Sequence, residues 1–498
     1  MVSGEWWEKP TGCGPWDPDA DTKHTNRQRR FLDPFMNTLD ELHRTIGGTL
    51  KPATAPPDEA QAAPLGRVVS DSRRVQLGDV FWALVGPHHD GADFTHEAFA
   101  RGASGAVVGR PVEAPQDRWV ITVDDTLTAL GQWARYKRDR FHGTVIAVTG
   151  SVGKTTTRQM IHTILKTRFV GTASPRNYNN HVGVPLSMLQ IEPGHDYAVL
   201  ELGASGRGEI AALAELCGPT IGAVTSVADA HLAGFGSHRA IAESKAELLA
   251  ALPPDGHAVL ADDPWLRRLA GQHLVPVTWV GRGAACDLVA TDVKWGHGEL
   301  HFRVSNQPFR VPIWGRHHLT CALCAVAVGG RMGLPLDQIA ASLESFDPVP
   351  MRCEVTEVGG ATIINDAYNA SPTAMRAALE LLRDFHVRGR RVFVCGDMCE
   401  LGDETAALHR RLGDQVVTLC GADLLIACGD HARHVVAGAR AAGMPDDRAI
   451  ACHTVEKVFP HLSRAISPGD VVLVKGSRAM GMERVVDAIE QLLELQLV

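Results

Sequence analysis

The chain has 498 residues, 45% hydrophobic and 21% charged, an ordinary globular balance that can fill several cores and, at roughly 100–200 residues per domain, suggests about three domains. A formal net charge of −8 without a long Lys/Arg run excludes a broad nucleic-acid-binding face. The 11 scattered cysteines argue for reduced thiols, and no apolar stretch reaches the roughly 18–20 residues of a membrane helix or forms a signal core, so a cytoplasmic protein without membrane insertion is expected.

Residues 1–36 are polar and carry Trp6, Trp7 and Trp16 among Gly, Pro and Asp; they read as a weakly ordered extension. A first domain is expected over 37–141. In it Lys51–Pro64, rich in Ala and Pro, reads as a loop. Val80–Val85 and Ala106–Val108 read as strands, with helices near Phe94–Arg101 and Leu127–Arg140. A central domain is expected over 142–348. Its strands are Val145–Val148, Tyr197–Leu202 and Ile221–Val227; its helices are Lys154–Leu165, Gly208–Leu216 and Ala240–Leu252. A last domain, 349–498, has strands at Thr362–Ile364, Val392–Cys395, Leu424–Ala427 and Val471–Val474, and helices at Ala374–Phe385 and Ala406–Leu419. Strands alternating with helices predict an α/β protein with covered parallel sheets.

The strongest local signal is Val145–Thr157, VIAVTGSVGKTTT. An apolar strand runs into Gly150, Ser151, Val152, Gly153, Lys154, Thr155 and Thr156, and then into a helix. Glycines let backbone N–H groups turn toward an anion, and the helix N-terminus adds partial positive charge. Lys154 supplies a full charge for the β- and γ-phosphates of ATP, and Thr155 a hydroxyl for Mg2+. Val148 stands where the longest form of this motif has its first Gly, so only the shorter G-x-x-G-K-T is present.

In a parallel sheet ligands gather at the carboxyl ends of strands. Lys154, Glu201 and His231 all fall there, and Glu201 suits a hard cation that wants oxygen. Lys245 lies in a helical stretch between Ala242 and Leu248, and spacing alone reads it as a solvated lysine. In the last domain Asp366, Asp397 and Lys475 end three strands, so that domain also faces a ligand. His317, His318, Cys321 and Cys324 resemble zinc ligands, but four groups along one short helical segment cannot converge tetrahedrally, and no metal is assigned to that run.

Taken together, these motifs resemble those of the Mur ligase family, and within it the ligases that add D-alanyl-D-alanine. The resemblance spans roughly residues 38 to 495. It is carried by Ser70-Asp71-Ser72-Arg73 and Gly78-Asp79-Val80-Phe81 in the first part, and by the phosphate loop, Asn179-Asn180-His181 and His231-Leu232-Ala233-Gly234-Phe235-Gly236-Ser237 in the second. In the last part it is carried by Asp366-Ala367-Tyr368-Asn369-Ala370-Ser371-Pro372, Gly396–Gly402 and Lys475–Arg478. The phosphate loop alone is generic; the later segments are specific.

The resemblance implies a UDP-sugar-binding first domain, a central ATPase sheet and a Rossmann-like last domain. It implies that ATP phosphorylates the terminal carboxylate of UDP-N-acetylmuramoyl-tripeptide, and that the amine of D-alanyl-D-alanine displaces phosphate, giving a peptidoglycan precursor. Carried over residue by residue, Thr155 and Glu201 would hold one Mg2+, and His231 with a carbamylated Lys245 would serve a second. Arg352 would meet the γ-phosphate and Asp366 the nucleotide. Ser72 and Arg73 would hold the UDP part, Asn179 and Asn180 would lie near the muramoyl group, and Tyr368 and Asn369 near the dipeptide. A monomer is expected. The chain departs from the family pattern at His257–Pro264, which lacks an Asn, and at His318, Cys321, Met351 and Asn365. Alternatives are a sibling Mur ligase, a folylpolyglutamate-type ligase, or a nucleotide-binding regulator without catalysis.

Overall fold

The computed structural model describes residues 37–51, 64–229 and 232–495. The reading of 1–36 as an extension, most of the 51–64 loop and His231 lie outside these residues.

Val145, Ile146, Ala147 and Val148 are all fully buried, yet they point two ways. Ile146 and Val148 pack with Met160, Ile161 and Ile164 of the following helix, while Val145 and Ala147 pack with Leu200, Ile210 and Leu248 on the other face. An unbroken apolar run is what a strand covered on both faces requires. The other two sheets split the same way. Trp82 and Phe81 bury on opposite faces of the first, and Phe393 and Val394 on opposite faces of the last.

The first sheet holds β1 (Thr49–Lys51), β2 (Val68–Val69), β3 (Val80–Trp82), β4 (Gly105–Val108) and β5 (Trp119–Thr122), in the order β1-β5-β4-β3-β2. β1 is antiparallel to β5 and the other pairs are parallel. The central sheet begins with parallel strands β6 (Thr144–Thr149), β7 (Gly171–Ala173), β8 (Tyr197–Glu201), β9 (Ile221–Val224), β10 (His257–Ala261) and β11 (Val277–Gly281). It continues through β12 (Leu288–Gly296), β13 (Glu299–Val304) and β14 (Gln307–Val311), where β12, β13 and β14 pair antiparallel. Its order is β14-β13-β12-β11-β10-β9-β6-β8-β7. The last sheet holds β15 (Glu354–Val358), β16 (Ala361–Asp366), β17 (Arg391–Gly396), β18 (Leu424–Cys428), β19 (Ala449–Cys452) and β20 (Val471–Lys475), ordered β15-β16-β20-β17-β18-β19.

Several expected elements are shorter than their apolar runs. The run Val80–Val85 leaves its sheet after Trp82, and Val85 forms only an isolated bridge to Asp90. The run Ile221–Val227 ends as a strand at Val224, because the backbone beyond it turns to bond the phosphate loop. The helix expected over Ala406–Leu419 is α-helical over Thr405–Gln415 and then widens into a single π turn, Val416–Cys420.

Candidate active site

β6 sits between β8 and β9, so the chain winds one way through β7 and β8 and the other way through β9, β10 and β11. A crevice opens where the winding reverses, and ligands of open α/β sheets bind there. The residues that leave β6 at this point are Gly150–Thr156. Gly150 has φ +143° and Gly153 has φ +85°, values that disfavour any side chain. Space forbids one too. A Cβ on Gly150 would stand 2.1 Å from Thr225 Oγ1, and one on Gly153 would stand 2.8 Å from Cys321 Sγ.

The loop is held from outside by the segment after β9. Thr225 Oγ1 donates to the carbonyl of Val152 at 2.6 Å. Ser226 Oγ accepts from Val152 N–H at 3.0 Å. Ser151 Oγ donates to the carbonyl of Ala228 at 2.9 Å and accepts from the Ala228 N–H at 2.9 Å. Lys154 Nζ donates to the carbonyl of Gly150 at 2.8 Å, curling its ammonium over the loop. Burial lowers the Lys154 pKa, Glu201 opposes that shift and Arg352 adds to it. Thr155 and Thr156 open the helix Lys154–Leu165 and are buried.

Glu201 ends β8 in register with Val148, one step before the loop begins. It is 1% exposed. Its Oε1 accepts from Asn179 Nδ2 at 2.8 Å, while its Oε2 is buried with no hydrogen-bond partner among the described residues. A buried carboxylate oxygen left in this state is costly unless a cation serves it. Asn180 does something else: its Oδ1 accepts from the N–H groups of Val182 and Gly183, closing the turn that leads into the helix Gly183–Met188.

Lys245 overturns its reading as a solvated lysine. It is 2% exposed, inside the helix His238–Ala250, because Ser244, Lys245 and Ala246 all face the packed side. Its Nζ lies 5.2 Å from the centroid of the Phe235 ring. Burial, and then the nearby Lys154, push its pKa down to about 7.

The last sheet brings Arg352 to the loop. Its guanidinium donates to Thr155 Oγ1 at 2.9 Å and lies 4.2 Å from the centroid of the Tyr368 ring. Asp366 and Lys475 are register partners at the ends of β16 and β20, and form a buried ion pair. Lys475 Nζ also donates to the carbonyl of Asn369 at 3.0 Å, which ties the Tyr368–Asn369 loop to the sheet. Lys475→Met therefore strips the buried Asp366 carboxylate of its cation, leaving it Cys353, whose N–H donates at 3.3 Å and whose thiol also bonds it, and should cost about 3–5 kcal/mol in urea unfolding. A loss below about 1 kcal/mol would show the pair to be dispensable.

Ser72 and Arg73 bond within the first domain, Ser72 Oγ to Glu97 Oε2 at 2.7 Å and Arg73 to both oxygens of Asp71 at 2.9 Å. Arg158 and Thr225 have no signal in the local pattern, and Cys321 drew notice there only as a look-alike metal ligand and a departure from the family pattern. Arg158, one turn into the loop's helix, is buried with Nε and Nη1 unpaired among the described residues, and Glu201 and Arg352 both act on its charge. Thr225 and Cys321 wall the loop from β9 and from the helix Leu319–Arg331. Beside them lies a cavity of about 530 Å3 at the carboxyl ends of β9, β10 and β11, lined by Ser226, Asp262, Gly281, Arg316, His317 and Thr320 among others.

A buried phosphate loop at a switch point, an orphan carboxylate oxygen beside it and an arginine reaching in from a second sheet define an ATP-using enzyme. The sequence matches the Mur ligase middle domain over residues 148–329 and the Mur ligase glutamate ligase domain over 351–478. It is 34% identical to the UDP-N-acetylmuramoyl-tripeptide–D-alanyl-D-alanine ligase of Bacillus subtilis, over 92% of this chain and 99% of that protein. The crystal structure of MurF from Acinetobacter baumannii superposes with TM-score 0.80 at 30% identity, covering 91% of this chain and 98% of that one. MurF from Thermotoga maritima in complex with ADP superposes with TM-score 0.74 at 31% identity, covering 87% and 99%. The chain belongs to the Mur ligase family. Among the described residues no helix is long and apolar enough to cross a membrane.

Proposed function

We propose that the chain joins D-alanyl-D-alanine to UDP-N-acetylmuramoyl-tripeptide at the expense of ATP, in peptidoglycan precursor synthesis. The observation that carries the reading is the Arg352–Thr155 contact, which puts a cation of the last domain on the hydroxyl of the phosphate loop. A γ-phosphate leaving ATP there meets Lys154 on one side and Arg352 on the other. Catalysis of phosphoryl transfer is mostly alignment and charge neutralisation, which these two groups supply.

Mg2+ fits the donor set, because Glu201 Oε2 is a buried oxygen in want of a cation and the Thr155 hydroxyl belongs to the same loop. Thr155, Glu201, His231 and a carbamylated Lys245 would hold two such ions, which neutralise phosphate charge when bound. Carbamylation suits Lys245 on its own chemistry. With a pKa near 7 its amine is largely neutral just above neutrality, and the nitrogen lone pair can add to CO2 with loss of a proton. The product is an anion where the ammonium was.

The carboxylate of the tripeptide attacks the γ-phosphorus and ADP leaves, giving an acyl phosphate. The dipeptide amine then adds to the acyl carbon and phosphate departs. Water would destroy that intermediate, so the site must close, and Arg352 and Tyr368 come from the domain that closes it. Ser72 and Arg73 hold the UDP moiety, Asn179 positions Glu201 near the muramoyl group, and the Tyr368–Asn369 loop receives the dipeptide. Asp366 and the cavity beside the loop serve the nucleoside. The chain works as a monomer in the cytoplasm, where ATP is plentiful and its free cysteines stay reduced.

Phosphate release measured with ATP, Mg2+ and UDP-N-acetylmuramoyl-tripeptide should depend on added D-alanyl-D-alanine. Release driven by a single amino acid instead would favour a sibling ligase. No dipeptide-dependent release at all would sink the reading in favour of a non-catalytic regulator.

A further inference from the structure

We propose that His317, His318 and Cys353 form a binding site for a borderline-soft divalent cation such as Zn2+, clamping the last domain to the central one. The three come from different places. His317 and His318 lie in the 3-10 turn Arg316–His318 that opens the helix Leu319–Arg331, and Cys353 immediately precedes β15. Their ligand atoms all lie within 4.8 Å of one another. Cys353 Sγ is 3.8 Å from His317 Nε2, and the two imidazole centroids are 4.1 Å apart. Cys321 and Cys324, which share the sequence run with the histidines, are not in the cluster.

A second observation points to a ligand. His318 is 5% exposed, and both its ring nitrogens are buried with no hydrogen-bond partner among the described residues. An imidazole sealed from water with two idle nitrogens is costly, so it calls for a partner. A neutral imidazole is the form a metal takes, and His317 is exposed, on the side of the adjoining cavity. Cys353 is 3% exposed and has φ +55°, a conformation that side chains disfavour and that places it against the histidines.

One thiolate and two imidazoles form a donor set suited to Zn2+, and a water or a group from the adjoining cavity, which His317 lines, completes four-coordination. Binding breaks the Cys353 S–H bond and forms a sulfur–metal bond, and the proton passes to solvent. Cys353 follows Arg352, so the metal would also hold Arg352 against Thr155.

The test is titration of the reduced, metal-free full chain with Co2+, read by absorption. A thiolate-to-cobalt charge-transfer band should saturate at one ion per chain, and Zn2+ should displace it. Cys353→Ser should abolish the band and His318→Asn, which keeps a polar side chain of similar reach, should weaken binding at least tenfold. Cys324→Ser should leave the band intact. No saturable thiolate band in the parent chain, a band that survives Cys353→Ser, or unchanged affinity in His318→Asn would each overturn the proposal.

Discussion

Lys154→Ala should lower kcat for dipeptide-dependent phosphate release by about a thousandfold while leaving the fold at least as stable as before. The first half follows from position. Lys154 Nζ sits on the carbonyl of Gly150, over the phosphate loop, and removing one preorganised charge from such a site typically costs about 10²–10³ or more in rate. The second half follows from burial. The ammonium is desolvated and its pKa is lowered for that reason, so the folded chain bears a cost that Ala removes. Activity and stability should therefore part company. Lys154→Arg should not restore the rate, because a planar fork does not replace a compact ammonium curled onto the Gly150 carbonyl. Steady-state kcat at saturating ATP with a thermal melt of the same sample decides it. A loss under tenfold would remove Lys154 from the chemistry, and a large drop in melting temperature would make it a structural residue.

The loop was legible in the sequence because its requirements are local. An apolar strand, two glycines at fixed spacing and a helix start are all encoded within one short segment, and the fold adds only the walls. Sheets were legible where strands bury both faces, since Val145–Val148 and Val471–Val474 are then unbroken apolar runs. The strands β10–β14 were not found. In β13 buried residues alternate with half-exposed ones, which thins the apolar signal, and β14 is interrupted by Pro308 and Arg310. Strand ends misplaced by a few residues, as after Val224, reflect bonds to the loop that no local pattern records.

The site was legible one element at a time and not across elements. Glu201 could be placed by strand-end logic because register alone aligns it with Val148. Arg352 could not, since its meeting with Thr155 depends on how one sheet docks against another. The cluster of His317, His318 and Cys353 shows the same limit. The sequence places two cysteines beside the histidines, and helical geometry keeps those two away; the cysteine that meets them comes from beyond the next two helices. Lys245 is the sharpest case. Helical periodicity puts it between apolar neighbours without saying that Phe235 and the turn before the helix will close over it.

That burial makes Lys245→Ala the other large effect. Turnover should nearly vanish, by about a thousandfold, because an anion formed on this side chain is asked to stand beside the ions that neutralise phosphate. The side chain leaves behind a space beside Phe235 the size of a short aliphatic chain, so short carboxylic acids such as propionate should enter it and restore part of the rate. Rescue by a carboxylate and not by a short amine would distinguish a carbamate from an ammonium. The pH dependence gives an independent sign. Folding lowers the amine pKa from 10.5 to about 7, so the neutral amine that adds CO2 is the main form above pH 7 and falls to about a tenth one unit below. Activity of the parent chain in CO2-depleted buffer should therefore fall most at pH 6, and added bicarbonate should recover it. The same shift means that the folded chain binds fewer protons than the unfolded one between pH 7 and 10.5, so this lysine's destabilising contribution is complete below pH 7 and fades as pH rises through that window. Lys245→Met should then melt no lower than the parent at pH 6 while remaining inactive. Turnover left unchanged by Lys245→Ala would show that no carbamate at this position takes part.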